Sequence, residues 1–105
     1  MKVEYTVIST FSAAHVVEGR HCGHNYTVEV TQVEPNTDIG HALDSILAEL
    51  HERTLEDMMP GAETSSLGVA AWLMERLALR FPRLTRVSVS STDKERVAVL
   101  RDPTR

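Results

Sequence analysis

The sequence has a single cysteine, Cys22, and only 5% aromatic residues in 105 positions. One cysteine excludes a disulfide within the chain and is typical of a reducing compartment. The longest apolar run, 69–74, is far shorter than the roughly 20 residues that cross a bilayer. The amino-terminal segment alternates charged and apolar residues, unlike the unbroken apolar stretch of a secretory signal. We therefore expect a soluble, cytoplasmic protein.

Basic residues are also in the minority. The formal net charge is -4 at pH 7, whereas surfaces that bind nucleic acid or anionic membranes need clustered lysine and arginine. We expect neither of those partners, but a small-molecule substrate and other copies of the chain. The length suits one domain, residues 1–105, and such a small core gains burial when it self-associates.

Hydrophobic periodicity predicts four strands and two helices. Alternation with a period of two predicts strands over 2–10, 25–33, 84–92 and 96–101. An apolar stripe from Leu43 onward predicts one helix, and a second is predicted over 66–80 before Pro82. The order β-β-α-α-β-β indicates an α+β fold, an antiparallel four-stranded sheet with two helices on one face. Its free edges could pair between subunits and join the sheets into a barrel.

Three of the five histidines and the cysteine lie within ten positions, 15–24. Residues i and i+2 of a strand point to the same side, so a strand beginning near His21 would group Cys22 with His24 and turn His21 away. His15, at the end of the first strand, can supply a ligand from the neighbouring strand. Two imidazoles and a thiolate make a sound Zn²⁺ set, with a fourth position open to water or substrate.

Spacing alone does not choose between Cys22 and His21 as the third ligand. Cys22 could instead be an activated thiolate beside a zinc held by histidines, and the cluster could also be ordinary loop histidines near a buried cysteine. His41 and His51 lie near the polar side of the first helix, where solvated surface histidines are the simplest interpretation. Solvated surface charge is likewise the simplest interpretation of the carboxylates of Glu56 and Asp57, predicted to lie in a loop.

The segments FSAAH and GHNYTVEV resemble the zinc-site signature of the 6-pyruvoyl-tetrahydropterin synthase and 6-carboxytetrahydropterin synthase family. The usual pattern there is F-S-A-A-H, a cysteine, then H-G-H-N-Y and an alternating strand. The order of elements matches the family's tunnelling fold, and GHALD (40–44) and VSVSST (87–92) stand where the family has G-M-V-x-D and V-x-V-x-E-T. The resemblance implies a trimer or hexamer built on a closed barrel, with sites between subunits and a three-histidine zinc in each.

Within that resemblance, His15 and His24 match two of the zinc ligands, and Cys22 stands at the third. The family also has a cysteine that abstracts a proton, an Asp-His pair from an L-D-H motif, and a glutamate that anchors the pterin. Here Cys22 can be the displaced base or a substitute ligand, LEDMM (55–59) offers carboxylates but no histidine, and P-T-x-E-N is reduced to TSSLG (64–68). Ser91 stands at the position of the anchor, and a hydroxyl cannot accept the forked hydrogen bonds that a carboxylate accepts.

These departures affect the positions that bind the substrate and transfer protons in the family, whereas most of the zinc-ligand positions are kept. The candidate catalytic residues are Cys22, Asp57, Glu56 and His51, and the candidate substrate-binding residues are Ser91 and Thr92. We predict a zinc-dependent lyase or cyclase that acts on carbon-oxygen or carbon-carbon bonds of a small hydroxylated or carbonyl compound other than the usual pterin.

Three alternatives stay open at this point. The first is a genuine 6-carboxytetrahydropterin synthase of the pterin or queuosine type. The second is a non-catalytic oligomer with a ligand-binding or structural role, and the third is a metal or redox sensor that uses Cys22.

Overall fold

Two long antiparallel strands form the centre of the sheet. The computed structural model of the protein describes residues 1–104. Its strands are β1 Tyr5–Val17, β2 Arg20–Gln32, β3 Arg53–Thr54, β4 Leu84–Ser90 and β5 Val97–Leu100. Its helices are α1 Asp38–Leu50, α2 Leu55–Met58 and α3 Ser66–Ala78. No helix in this described part of the chain is long and apolar enough to span a membrane.

A two-residue turn joins β1 to β2. Both turn residues have positive φ, 50° at Glu18 and 77° at Gly19, as the hairpin turn whose twist matches that of the strands requires. The two strands pair without interruption from Tyr5 opposite Gln32 to Val17 opposite Arg20. Both strands therefore extend beyond their predicted ends, and the histidine and cysteine cluster lies within paired strands instead of a loop.

The sheet has five strands in the order β3-β1-β2-β4-β5. The fifth strand, absent from the prediction, is the two-residue β3, which pairs in parallel with Ala13 and Ala14 of β1. Such a short segment carries no period, so the sequence could not show it. The predicted α+β tunnelling fold is confirmed apart from this additional strand.

The core lies between the sheet and the helices. Alternate residues of β1, β2 and β4 pack against apolar stripes of α1 and α3, all of them buried: Phe11, Tyr26, Val28, Val30, Val87 and Val89 with Leu43, Leu47, Leu73 and Leu77. The other face of the sheet is uncovered in the single chain, where Ile8 is 62% exposed and Leu100 71% exposed.

At the starts of α1 and α3, polar side chains accept backbone hydrogen bonds. Asn36 Oδ1 accepts from the backbone N–H of Asp38 over 3.0 Å, so α1 begins ahead of the apolar stripe that predicted it. Ser65 Oγ accepts from the backbone N–H of Gly68 over 3.2 Å at the start of α3, a common form of N-cap. Glu56 and Asp57, predicted in a loop, lie in the single turn of α2.

Candidate metal centre

The side chains of His15 and His24 meet on the helix-facing side of the β1-β2 hairpin. Their Nε2 atoms are 3.1 Å apart. The strand register explains this contact, because His15 lies opposite Cys22 and Ala13 lies opposite His24, which makes the two histidines diagonal neighbours on one face. The structure thus brings together the two residues that the sequence ranked first as metal ligands.

Cys22 shares this face with the pair. It lies directly opposite His15 and is half-buried, with a free thiol. Over residues 1–104, no three His, Cys, Asp or Glu side chains stand close enough together to hold a metal ion. His21 lies opposite Val16, on the other face as predicted, so the structure does not bring it to the pair.

Two aromatic rings support the histidines from the core side. The rings of Phe11 and Tyr26 stack with their centroids 4.9 Å apart, and the ring of His24 meets Tyr26 edge-on at 5.9 Å. Burial raises the pKa of the Tyr26 hydroxyl, and the negative charge of Glu56 raises it further. Tyr26 is therefore a neutral phenol whose ring packs against His24.

The carboxylate of Glu56 is bonded through both oxygens. Oε1 accepts from the backbone N–H of Val16 over 2.9 Å, and Oε2 accepts from the hydroxyl of Thr64 over 2.5 Å. Burial by itself would raise the pKa of Glu56, but hydrogen bonds from Thr64, its own backbone N–H and Val16, with the charge of His15, outweigh it and hold the pKa below its ordinary value. Glu56 is thus an anion beside the histidine pair.

His51 contacts β1 away from the pair. His51 follows α1, and its Nδ1 accepts from the backbone N–H of Ser12 over 3.0 Å, three residues before His15 on β1. That distance along a strand is about 10 Å. Asp57 is exposed on α2 and His41 is exposed on α1.

A shallow cavity of about 350 Å³ lies over the hairpin at Ser12, Ala14, Gly23 and Asn25, positions that alternation places on the face opposite the side chains of His15 and His24. Its lining includes the polar side chains of Ser12, Asn25, Glu52 and Arg53. Ser91 and Thr92, the predicted substrate-binding residues, follow the end of β4 and do not line this cavity. Ser90, the last residue of β4, pairs with Thr27 of β2, so Ser91 follows it on the side of Tyr26.

Sequence reasoning missed two members of the site, Tyr26 and Thr64. Tyr26 was visible only as one apolar position of an alternating strand, and its place two residues after His24 was the available signal. Thr64 stands in the segment that resembles a reduced family motif, and no local pattern links it to Glu56.

The comparisons with known proteins agree with the fold and the motifs. Residues 4–102 match the profile of the family described as 6-pyruvoyl tetrahydropterin synthase. The chain belongs to this family. The resemblance seen in FSAAH and GHNYTVEV is therefore confirmed at the level of the family.

A solved structure shows how far the similarity extends. The chain is similar to the Caenorhabditis elegans 6-pyruvoyl tetrahydropterin synthase, with a TM-score of 0.81 and 18% identity, over 97% of each chain. At this identity, the likeness supports a shared fold. A search of the curated proteins finds no match to the chain. Membership of the family supports a synthase-type enzyme as the general class of function.

Proposed function

We propose that the chain is a zinc-dependent lyase or cyclase of the 6-pyruvoyl tetrahydropterin synthase family, acting on a small hydroxylated or carbonyl compound. The observation that carries this proposal is the 3.1 Å between Nε2 of His15 and Nε2 of His24. Two nitrogens bound at 2.0–2.1 Å to one tetrahedral zinc ion lie about 3.3 Å apart. The same distance suits a hydrogen bond between two neutral imidazoles, so metal binding needs its own experiment.

The donor set suits zinc if Cys22 completes it. Cys22 lies opposite His15 on the same face, where directly opposed Cβ atoms are about 4.5–5.5 Å apart. A change of rotamer would have to bring the sulfur to the two imidazoles, because the described residues do not gather three ligands as they stand. Two imidazoles and one thiolate leave a fourth position for a substrate oxygen, and zinc bound there would polarise a hydroxyl or carbonyl group.

The remaining polar residues of the site would form hydrogen bonds to the substrate and transfer protons. Because Nδ1 of His51 already accepts from the backbone N–H of Ser12, its Nε2 would be the ring atom left to donate a hydrogen bond to the substrate. Glu56 is a poor base, since both of its oxygens accept hydrogen bonds. In the proposed enzyme, Cys22 would abstract a proton only if it does not bind the metal.

The open parts of the sheet favour self-association. β5 is an edge strand, and β3 covers only Ala13 and Ala14 of the outer edge of β1. Ile8 and Leu100 leave apolar surface exposed on the uncovered face. Pairing of these edges between copies would cover that surface and the unpaired backbone. We therefore propose a homo-oligomer, a trimer or a hexamer.

Turnover of the usual pterin substrate tests the substrate class. The zinc-loaded protein should leave dihydroneopterin triphosphate unconverted under anaerobic conditions, because Ser91 cannot accept the paired hydrogen bonds that anchor a pterin edge. Product is followed by chromatography. Clear turnover would show instead a genuine pterin synthase, and less than stoichiometric zinc in the purified protein would favour a non-catalytic oligomer.

Replacement of Cys22 by serine tests the third ligand. If the thiolate binds metal, the Co²⁺-loaded protein absorbs through a sulfur-to-cobalt charge-transfer band, and C22S loses that band together with most of its metal affinity. If Cys22 is a base, C22S keeps the affinity and the wild type never shows the band. Cobalt titration of the two metal-free proteins, followed by absorption, separates the two roles.

A further inference from the structure

Glu56 connects three separate segments of the chain next to the two candidate metal ligands, His15 and His24. Its own segment is α2, its Oε1 holds the backbone N–H of Val16 on β1, and its Oε2 holds the hydroxyl of Thr64 in the loop before α3. Val16 directly follows His15. The bond to Val16 therefore fixes the strand at the residue next to a candidate zinc ligand.

The loop that carries Thr64 is itself tightly held. The backbone N–H of Ala62 donates to the carbonyl of Met59 over 3.0 Å, and the hydroxyl of Ser65 donates to Glu63 over 2.8 Å. At the start of α3, Gly68 packs so closely on Glu63 that an added Cβ would lie 1.9 Å from the Glu63 carbonyl oxygen. Thr64 lies between these fixed points, so its hydroxyl is presented to Glu56 by a preformed loop.

We propose that Glu56, held by Thr64, is a positioning residue for the His15–His24 pair. Its hydrogen bond to Val16 fixes the backbone of β1, and the fixed backbone sets the position of the His15 imidazole. This inference rests on the proposed zinc site. It also gives a role to TSSLG, the segment that resembles a reduced family motif, because its first residue supplies the hydroxyl that holds Glu56.

Substitutions at the two partners test the inference. E56A and T64V should each weaken Zn²⁺ binding by about tenfold or more, within the range found when partners behind metal ligands are removed. T64S keeps the hydroxyl and should bind zinc within about twofold of the wild type. D57N removes the neighbouring exposed carboxylate and is the matched control for charge, with no expected change.

Two readouts separate positioning from a general loss of structure. The first is the absorption spectrum at Co²⁺ saturation, which reports ligand geometry and should change in E56A and T64V but not in T64S or D57N. The second is hydrogen exchange at the Val16 amide in metal-free protein, which should be faster in E56A and T64V.

The possible results distinguish a failure of the Glu56 inference from a failure of the proposed zinc-dependent function. Zinc affinity within twofold of the wild type in E56A or T64V would overturn the inference, as would an equal loss in D57N. Exchange at Val16 that is as fast in the wild type as in E56A would also overturn it, whatever the zinc result. A wild-type protein that binds no zinc, with Val16 protected by Glu56, would overturn the proposed function and leave the Glu56 bridge intact.

Discussion

Replacing His15 with alanine is expected to remove zinc from the protein. The substitution leaves one imidazole and one thiol, too few ligands to hold the ion against a chelator. The affinity should fall by more than about 100-fold, beyond the 10–100-fold typical of partners that lie behind a ligand. Elemental analysis of the purified protein gives zinc per chain, and competition with a chelating dye gives the affinity.

His21→Ala is the matched control for this experiment. His21 lies in the same hairpin, is exposed, and points to the opposite face because it is paired with Val16. H21A should therefore keep its zinc. If H15A retained zinc at the wild-type level, or if H21A lost as much, the pairing of His15 with His24 would not be a metal site.

Strand phase was enough to predict which histidines meet. His15, Cys22 and His24 share one face because of alternation and an antiparallel register, and both can be inferred from residues close together in the sequence. The two long helices and the strands with clear alternation were predictable for the same reason. Their periods are local properties of the chain.

The support of the site could not be predicted in this way. The bond between Glu56 and Val16 joins residues 40 positions apart, and β3 depends on its position beside β1. The signal at the hairpin turn was weak as well, because Glu18 is not a residue type that favours positive φ. Where contacts are long-range and side-chain specific, the sequence pattern identifies a candidate residue without its partner.

Gly68 illustrates this difference most sharply, because helix propensity and the structure predict opposite effects. Propensity predicts that alanine within a helix is more stable than glycine by about 1 kcal/mol. In the structure, a Cβ at Gly68 would lie 1.9 Å from the carbonyl oxygen of Glu63 and 2.5 Å from its carbonyl carbon. Backbone atoms cannot move aside cheaply, so the start of α3 or the preceding loop must shift. We expect G68A to lose about 3 kcal/mol, the upper part of the range for overpacking.

Gly40→Ala provides the comparison within the same protein. Gly40 lies in α1, and a Cβ there would meet Val7 Cγ1 at 3.6 Å, an ordinary contact. G40A should therefore follow propensity and be stabilised by up to about 1 kcal/mol, while G68A unfolds more than about 10 °C earlier. Thermal and urea unfolding followed by circular dichroism measure both variants, and a G68A protein as stable as the wild type would show that the loop yields freely.

Because Thr64 follows Glu63, folded G68A should also bind zinc more weakly than G40A. One added methyl group would then connect the packing of α3 with the candidate metal centre.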